Sequence, residues 1–135
     1  MEAAIDVNWW AVIVAAVVKF AIGAVWFTAL FGVRYRALMG VPEGSSSDGL
    51  VPAMVVQIIG DLIMAYVLAR FIGHYEAAGL FNGAVIGFMA WLGFVATIMV
   101  GSIFYEKKTA EFVAITAGYQ LVGIVVMGAI IGWWG

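Results

Sequence analysis

The sequence has 135 residues, of which 66% are hydrophobic and 10% are charged, and its net charge at neutral pH is −2. Soluble domains carry about 25% charged residues, so this chain could not cover a globular surface with polar groups. Its mean hydropathy of +1.12 indicates an integral membrane protein with one domain over residues 1–135. The lack of cysteine excludes disulfides and thiolate catalysis, the single histidine argues against a transition-metal site, and the dispersed charge argues against a nucleic-acid partner.

Four apolar runs follow one another along the chain, at residues 9–31, 50–72, 79–104 and 112–134. Each run is long enough to cross about 30 Å of hydrocarbon as a helix. The runs therefore predict an all-α fold, an integral membrane bundle of four transmembrane helices. Because the second and third connections are short, helices 2 and 3, and helices 3 and 4, are expected to pack as antiparallel neighbours.

Basic residues near the ends of these runs predict the orientation of the bundle. The first connection contains Arg34 and Arg36 and the third contains Lys107 and Lys108, whereas the opposite side carries Arg70. Loops rich in lysine and arginine remain in the cytoplasm. Both of these connections are therefore expected inside, and the N- and C-termini are both expected outside.

Two charges of opposite sign lie deep in the first two runs. Lys19 is next to the middle of the first run, and Asp61 is the midpoint of the second. Because the two helices are antiparallel, these charges lie at the same depth. If both were unpaired, the free energy of inserting them into a membrane would rise by about 5–7 kcal/mol in total, and pairing offsets most of that cost. We expect them to face each other, either as a structural ion pair or as part of a transport path.

Three weaker polar groups are expected at similar depth. Gln57 lies one turn before Asp61 on the same helix face, Trp91 is at the midpoint of the third run, and Gln120 is about one turn from the midpoint of the fourth. Trp91 is far from the interfacial aromatic belts, to which Trp26 is assigned, so its indole N–H needs a partner within the bundle. Pointing inward, these groups and the ion pair would form one midplane polar cluster.

Small residues at four-residue spacing predict faces where helices approach closely. In the first run, Ala15 and Gly23 flank Lys19 at this spacing. The later runs contain the glycines Gly79, Gly83, Gly87, Gly128 and Gly132. Such faces pack helices inside one chain or between two chains, so a homodimer is a candidate assembly.

Longer stretches carry a resemblance to a known family. They are "NWWAVIVAAVVKFAIGAVWF", "AYVLA", "GFMAWLGFVAT" and "AGYQLVGIVVMGAIIGWW", and together they cover nearly the whole chain in this order. In these stretches the chain resembles an uncharacterised bacterial membrane family, domain of unknown function 1761. The resemblance implies a small four-helix integral membrane protein and supplies no activity, substrate or catalytic residue. The expected location is the bacterial inner membrane, which the chain crosses several times.

The sequence contains no nucleophile–base arrangement, phosphate-binding loop or metal cluster, so neither an enzyme nor a cofactor is expected. One candidate function is a structural or accessory protein that uses its helix faces to bind a second copy or a larger membrane complex. The other is a small dimeric transporter or channel in which Lys19, Asp61, Gln57 and Gln120 line a route for a proton or small polar solute. The polar groups cluster near the midplane rather than along the membrane's depth, which favours the first function.

Overall fold

The computed structural model describes residues 7–30, 50–75, 79–106 and 108–134. These residues contain four helices that are long and apolar enough to cross a membrane, which confirms the predicted all-α membrane fold. The four spans contain five α-helices, because the third span is made of two: α1 (Trp9–Val25), α2 (Leu50–His74), α3 (Leu80–Ala90), α4 (Thr97–Tyr105) and α5 (Ala110–Trp134).

Two wider, π-helical turns modify the first and third spans. The turn Trp26–Leu30 extends α1, and the turn Trp91–Ala96 joins α3 to α4, so that these two helices form one continuous third span. Such turns are rare in helices and are frequently found at functional sites. Each of them begins at a tryptophan.

Capping side chains determine where two helices begin. The side chain of Asn8 accepts hydrogen bonds from the N–H groups of Trp10 and Ala11 at 3.1 and 3.2 Å, and α1 starts directly after it. Thr109 Oγ1 accepts a bond from the N–H of Phe112 at 3.1 Å, and α5 starts directly after Thr109, earlier than predicted. These oxygens satisfy N–H groups that have no partner within the helix.

The last helix, α5, is the centre of the bundle. It packs most extensively on α3, then on α1, and also touches α2, while α1 packs on α2. In α5, 39% of the most apolar stretch is buried inside the bundle, whereas in the third span only 11% of that stretch is buried. The third and fourth spans are thus close neighbours as predicted.

The second and third spans are less close than predicted. Contact between α2 and α3 is limited, because each packs mainly on another helix. An apolar groove of about 350 Å³ lies between α2 and the third span.

Part of the predicted orientation depends on residues beyond the described ranges. Arg34, Arg36 and Lys107 lie outside the described residues. Lys108 is described, and its ammonium group pairs with Glu106 Oε1 at 3.3 Å on the surface. The inside–outside assignment therefore stays a prediction from the basic loops.

Candidate functional site

Lys19 and Asp61 meet in the interior of the bundle. Lys19 Nζ donates a hydrogen bond to Asp61 Oδ1 at 2.9 Å, and both residues are 0% exposed. Because α1 packs antiparallel on α2, the middle of the first span lies at the same depth in the bundle as the middle of the second span. The contact expected from the sequence is present. It neutralises two opposite charges that are buried between apolar helices.

The third member of this site is Tyr119 on α5, which the sequence analysis missed. Lys19 Nζ donates a second hydrogen bond to Tyr119 Oη at 2.9 Å and lies 4.3 Å from the centroid of the phenol ring. The ring is buried, and Phe27 packs edge-on against it at 5.2 Å. Lys19 lies on α1 and therefore makes hydrogen bonds to residues of both α2 and α5, so one ammonium group connects three helices.

Two glycines make room for this arrangement. A Cβ on Gly123 would lie 2.9 Å from Cγ of Lys19, and a Cβ on Gly23 would lie 3.0 Å from Tyr119 Oη. Ala15, one turn before the lysine, is completely buried. The small residues of α1 and α5 thus allow a long side chain and a phenol to share one interface. Gly123, one turn after Tyr119, is the sequence signal that could have identified the tyrosine's face.

Gln57 connects the ion pair to the outside of α2. Its Nε2 donates to Asp61 Oδ1 at 2.9 Å, so this oxygen accepts two hydrogen bonds. The other carboxylate oxygen, Oδ2, is buried and has no hydrogen-bond partner among the described residues. The Gln57 side chain itself is exposed on the outer surface of the bundle. The site is therefore closed around Lys19 and reaches the surface through one amide.

The two remaining residues predicted for the cluster lie beside it. Trp91 Nε1 donates to the carbonyl oxygen of Ala117 at 3.0 Å, and Gln120 Oε1 is buried without a hydrogen-bond partner in the described part of the chain. Trp26 Nε1 donates to the carbonyl oxygen of Ile115 at 3.0 Å. Its assignment as an interfacial anchor was incomplete, because its indole binds the backbone of α5. The two tryptophans that begin the π-helical turns thus hold α5 from α1 and from the third span.

The predicted glycine faces of the third and fourth spans pack against each other within one chain. A Cβ on Gly83 would overlap the carbonyl oxygen of Gly128, and a Cβ on Gly87 would lie 2.6 Å from a carbonyl oxygen of α5. At the end of this contact, the N–H of Gly79 donates to the carbonyl oxygen of Gly132 at 2.9 Å. These five glycines therefore serve intrachain packing, and a dimer would have to use another surface.

The chemistry available at this site is that of a buried ammonium, a carboxylate, a phenol and an amide. Among residues 7–30, 50–75, 79–106 and 108–134, no three histidine, aspartate or glutamate side chains lie close enough to hold a metal ion. The paired groups can hold helices together through charge and hydrogen bonds. Asp61 Oδ2, which has no hydrogen-bond partner among the described residues, can in addition accept a hydrogen bond.

Comparison with known proteins gives one family. The family described as "Protein of unknown function (DUF1761)" matches residues 10–132, which confirms the resemblance seen in the sequence. Neither the curated proteins nor the solved structures contain a match to the chain.

Proposed function

This chain belongs to DUF1761, a family of proteins of unknown function, and we propose that it is a structural or accessory component of the bacterial inner membrane. In this role the bundle is a stable four-helix unit, and its outer helix faces bind a second copy of the chain or a larger membrane complex. The midplane ion pair serves as the internal contact that keeps three of the helices in one arrangement.

One observation carries this proposal: the two midplane charges neutralise each other and are enclosed. Lys19 and Asp61 are 2.9 Å apart and have no exposure to solvent or lipid, and Tyr119 binds the same ammonium group. An ammonium group in this setting is poorly placed to bind a substrate ion, because it would first have to leave a carboxylate. Buried ionic groups of this kind can specify how helices pair, and we assign that role to this pair.

The outer surface of the bundle supports the accessory part of the proposal. The third span buries only 11% of its most apolar stretch within the chain, and the groove beside α2 is lined entirely by apolar residues and glycine. Lipid chains can cover such surfaces, and so can the helices of another membrane protein. The bundle therefore offers large helix faces for association, while its two midplane charges, Lys19 and Asp61, are turned inward.

The test combines a measurement of size with a measurement of flux. In its native membrane, the protein is expected to migrate in an assembly larger than the 14.4 kDa chain. In proteoliposomes loaded with a pH-sensitive dye, proton flux is expected to equal that of empty liposomes. A monodisperse monomer in the native membrane, or a flux that requires Asp61, contradicts the structural role.

A transport function is the second candidate, and one observation favours it. Asp61 Oδ2 is buried with no hydrogen-bond partner among the described residues, and Gln57 links this carboxylate to the surface. Leaving a buried acceptor unpaired costs about 1–3 kcal/mol, and ionisable groups inside membranes are usual components of proton routes. This function predicts a pH-driven flux that Asp61→Asn abolishes and the surface variant Glu106→Gln leaves intact. Flux equal to that of empty liposomes rejects it.

A further inference from the structure

α2 presents an exposed polar side chain at membrane depth. Gln57 lies inside the apolar stretch Pro52–His74, and its side chain is exposed on the outside of the bundle. One Nε2 hydrogen is donated to Asp61 Oδ1, and among the described residues the other N–H and the Oε1 oxygen of this amide make no further hydrogen bond. Hydrocarbon chains supply neither a donor nor an acceptor, so this half of the amide is best satisfied by another protein group.

The backbone beside Gln57 is open to close approach. Gly60 follows it by about one helical turn and is exposed, and no atom of the described residues lies within 4 Å of the place that a Cβ would occupy. Gly60 also lines the groove between α2 and the third span, together with apolar side chains that include Ile63, Val67 and Phe94. A small residue at an exposed position lets a second helix approach, and the groove can receive the side chains of that helix.

We propose that the face of α2 containing Gln57 and Gly60 binds the same face of a second copy of the chain. The two Gln57 amides are hydrogen-bonded to each other across a twofold axis. In a twofold contact, residues near the axis meet their own copies. The remaining N–H and Oε1 of one amide match the remaining Oε1 and N–H of an identical amide, so this side chain complements itself.

Charge and burial favour a second copy as the occupant. An ammonium or carboxylate near the axis would repel its own copy, but Lys19 and Asp61 are enclosed and bring no charge to this face. The paired amides would join the ion pair of one copy to that of the other through a continuous series of hydrogen bonds, which strengthen one another. This inference rests on the proposed accessory function and specifies its partner.

The natural absence of cysteine makes the test direct, because a single introduced thiol can react only with its copy. The test variant is Gly60→Cys, and the matched control is Gly93→Cys. Gly93 is exposed near the middle of the third span and likewise has no atom within 4 Å of its Cβ position. The purified proteins are placed in liposomes at low protein density and oxidised. Gly60→Cys is expected to form a covalent dimer, and Gly93→Cys is expected to form no more than random collision produces.

Dimer affinity provides the second measurement, by energy transfer between labelled copies in the same liposomes. Gln57→Leu and Gly60→Leu are each expected to weaken dimerisation about tenfold or more, and Gly93→Leu is expected to leave it unchanged. Gln57→Leu also removes a hydrogen bond to Asp61, so thermal unfolding of every variant is measured in parallel. Gly60→Leu keeps that bond and separates the loss of the interface from a loss of folding.

The result that overturns the inference is a Gly60→Cys protein that stays monomeric or that cross-links no better than Gly93→Cys. An unchanged affinity of Gly60→Leu would have the same consequence. The face would then be covered by lipid or by a different membrane protein. The accessory function is judged independently by native size and proton flux, so an assembly without this dimer and a failure of the accessory role give different results.

Discussion

The aliphatic stem of Lys19 lies directly against Gly123, where an added Cβ would be 2.9 Å from Cγ and 3.1 Å from Cε of the lysine. The lysine has little freedom to move aside, because Asp61 and Tyr119 each hold its ammonium group at 2.9 Å. The missing side chain on α5 is therefore what lets a charged side chain of α1 reach both of its partners.

Gly123→Ala is expected to destabilise the protein by about 1–3 kcal/mol, because the new methyl group displaces a side chain that is fixed at its far end. The matched control is Gly101→Ala on α4, where no atom lies within 4 Å of the Cβ position. That variant is expected to be unchanged or more stable by up to about 1 kcal/mol, since alanine favours the helix over glycine. Heat or denaturant unfolding in detergent compares the two. Equal stabilities would contradict the close contact.

A double-mutant cycle measures the coupling between Lys19 and Asp61. Lys19→Met or Asp61→Leu alone leaves one unpaired buried charge and is expected to destabilise by about 3–5 kcal/mol. The double variant removes both charges and is expected to recover most of that loss. Thermal unfolding in detergent and in liposomes gives the four stabilities. Effects that simply add would show that the two charges are not energetic partners.

The contact between Gly83 and Gly128 predicts a stronger effect of a single methyl group. A Cβ on Gly83 would overlap a backbone carbonyl oxygen, which cannot rotate away as a side chain can. Gly83→Ala is therefore expected to destabilise by about 4 kcal/mol or to prevent folding, with α3 pushed off α5. Gly93→Ala on the same span is the control and is expected to fold normally. Circular dichroism and unfolding in detergent measure both, and a stable Gly83→Ala protein would contradict the close packing.

The sequence could predict the four spans but not how all of them pack. The length and hydropathy of each run set the spans, because a helix is the structure that satisfies its own backbone in hydrocarbon. Packing neighbours are harder to predict, since each helix is apolar on nearly every face and no polar stripe marks its outside. The central place of α5 and the open groove beside α2 therefore appeared only in the structure.

For the site, the sequence could predict how deep each charged residue lies along its span, but not which face of α5 points towards the charges. Lys19 and Asp61 could be paired from the sequence because each lies at the middle of an antiparallel span. On α5 the sequence favours Gln120 because it is the more polar residue, but the neighbouring Tyr119 points about 100° away around the helix and is the one that faces Lys19. The indole bond of Trp26 to α5 could not be inferred either, because interfacial tryptophans occupy similar positions along a span.

The basic loops predict the orientation of the bundle, with both termini outside. Single cysteines at Asn8 and Thr109 test this, because Asn8 precedes α1 and Thr109 precedes α5. In intact cells, a membrane-impermeant maleimide is expected to label Asn8→Cys and to label Thr109→Cys only after permeabilisation. The opposite pattern would reverse the orientation and leave the packing within the bundle unchanged.

Neighbouring residues on α5 provide the sharpest comparison within the site. Tyr119→Phe removes the hydroxyl that accepts a hydrogen bond from Lys19, and it is expected to destabilise by about 1–3 kcal/mol because a buried N–H loses its partner. Gln120→Leu removes an amide whose Oε1 is buried without a partner in the described residues, and its stability is expected to be unchanged or higher. Thermal unfolding in detergent compares the two variants. A costly Gln120→Leu beside a neutral Tyr119→Phe would mean that α5 is turned by about 100°, so that the amide rather than the phenol faces the ion pair.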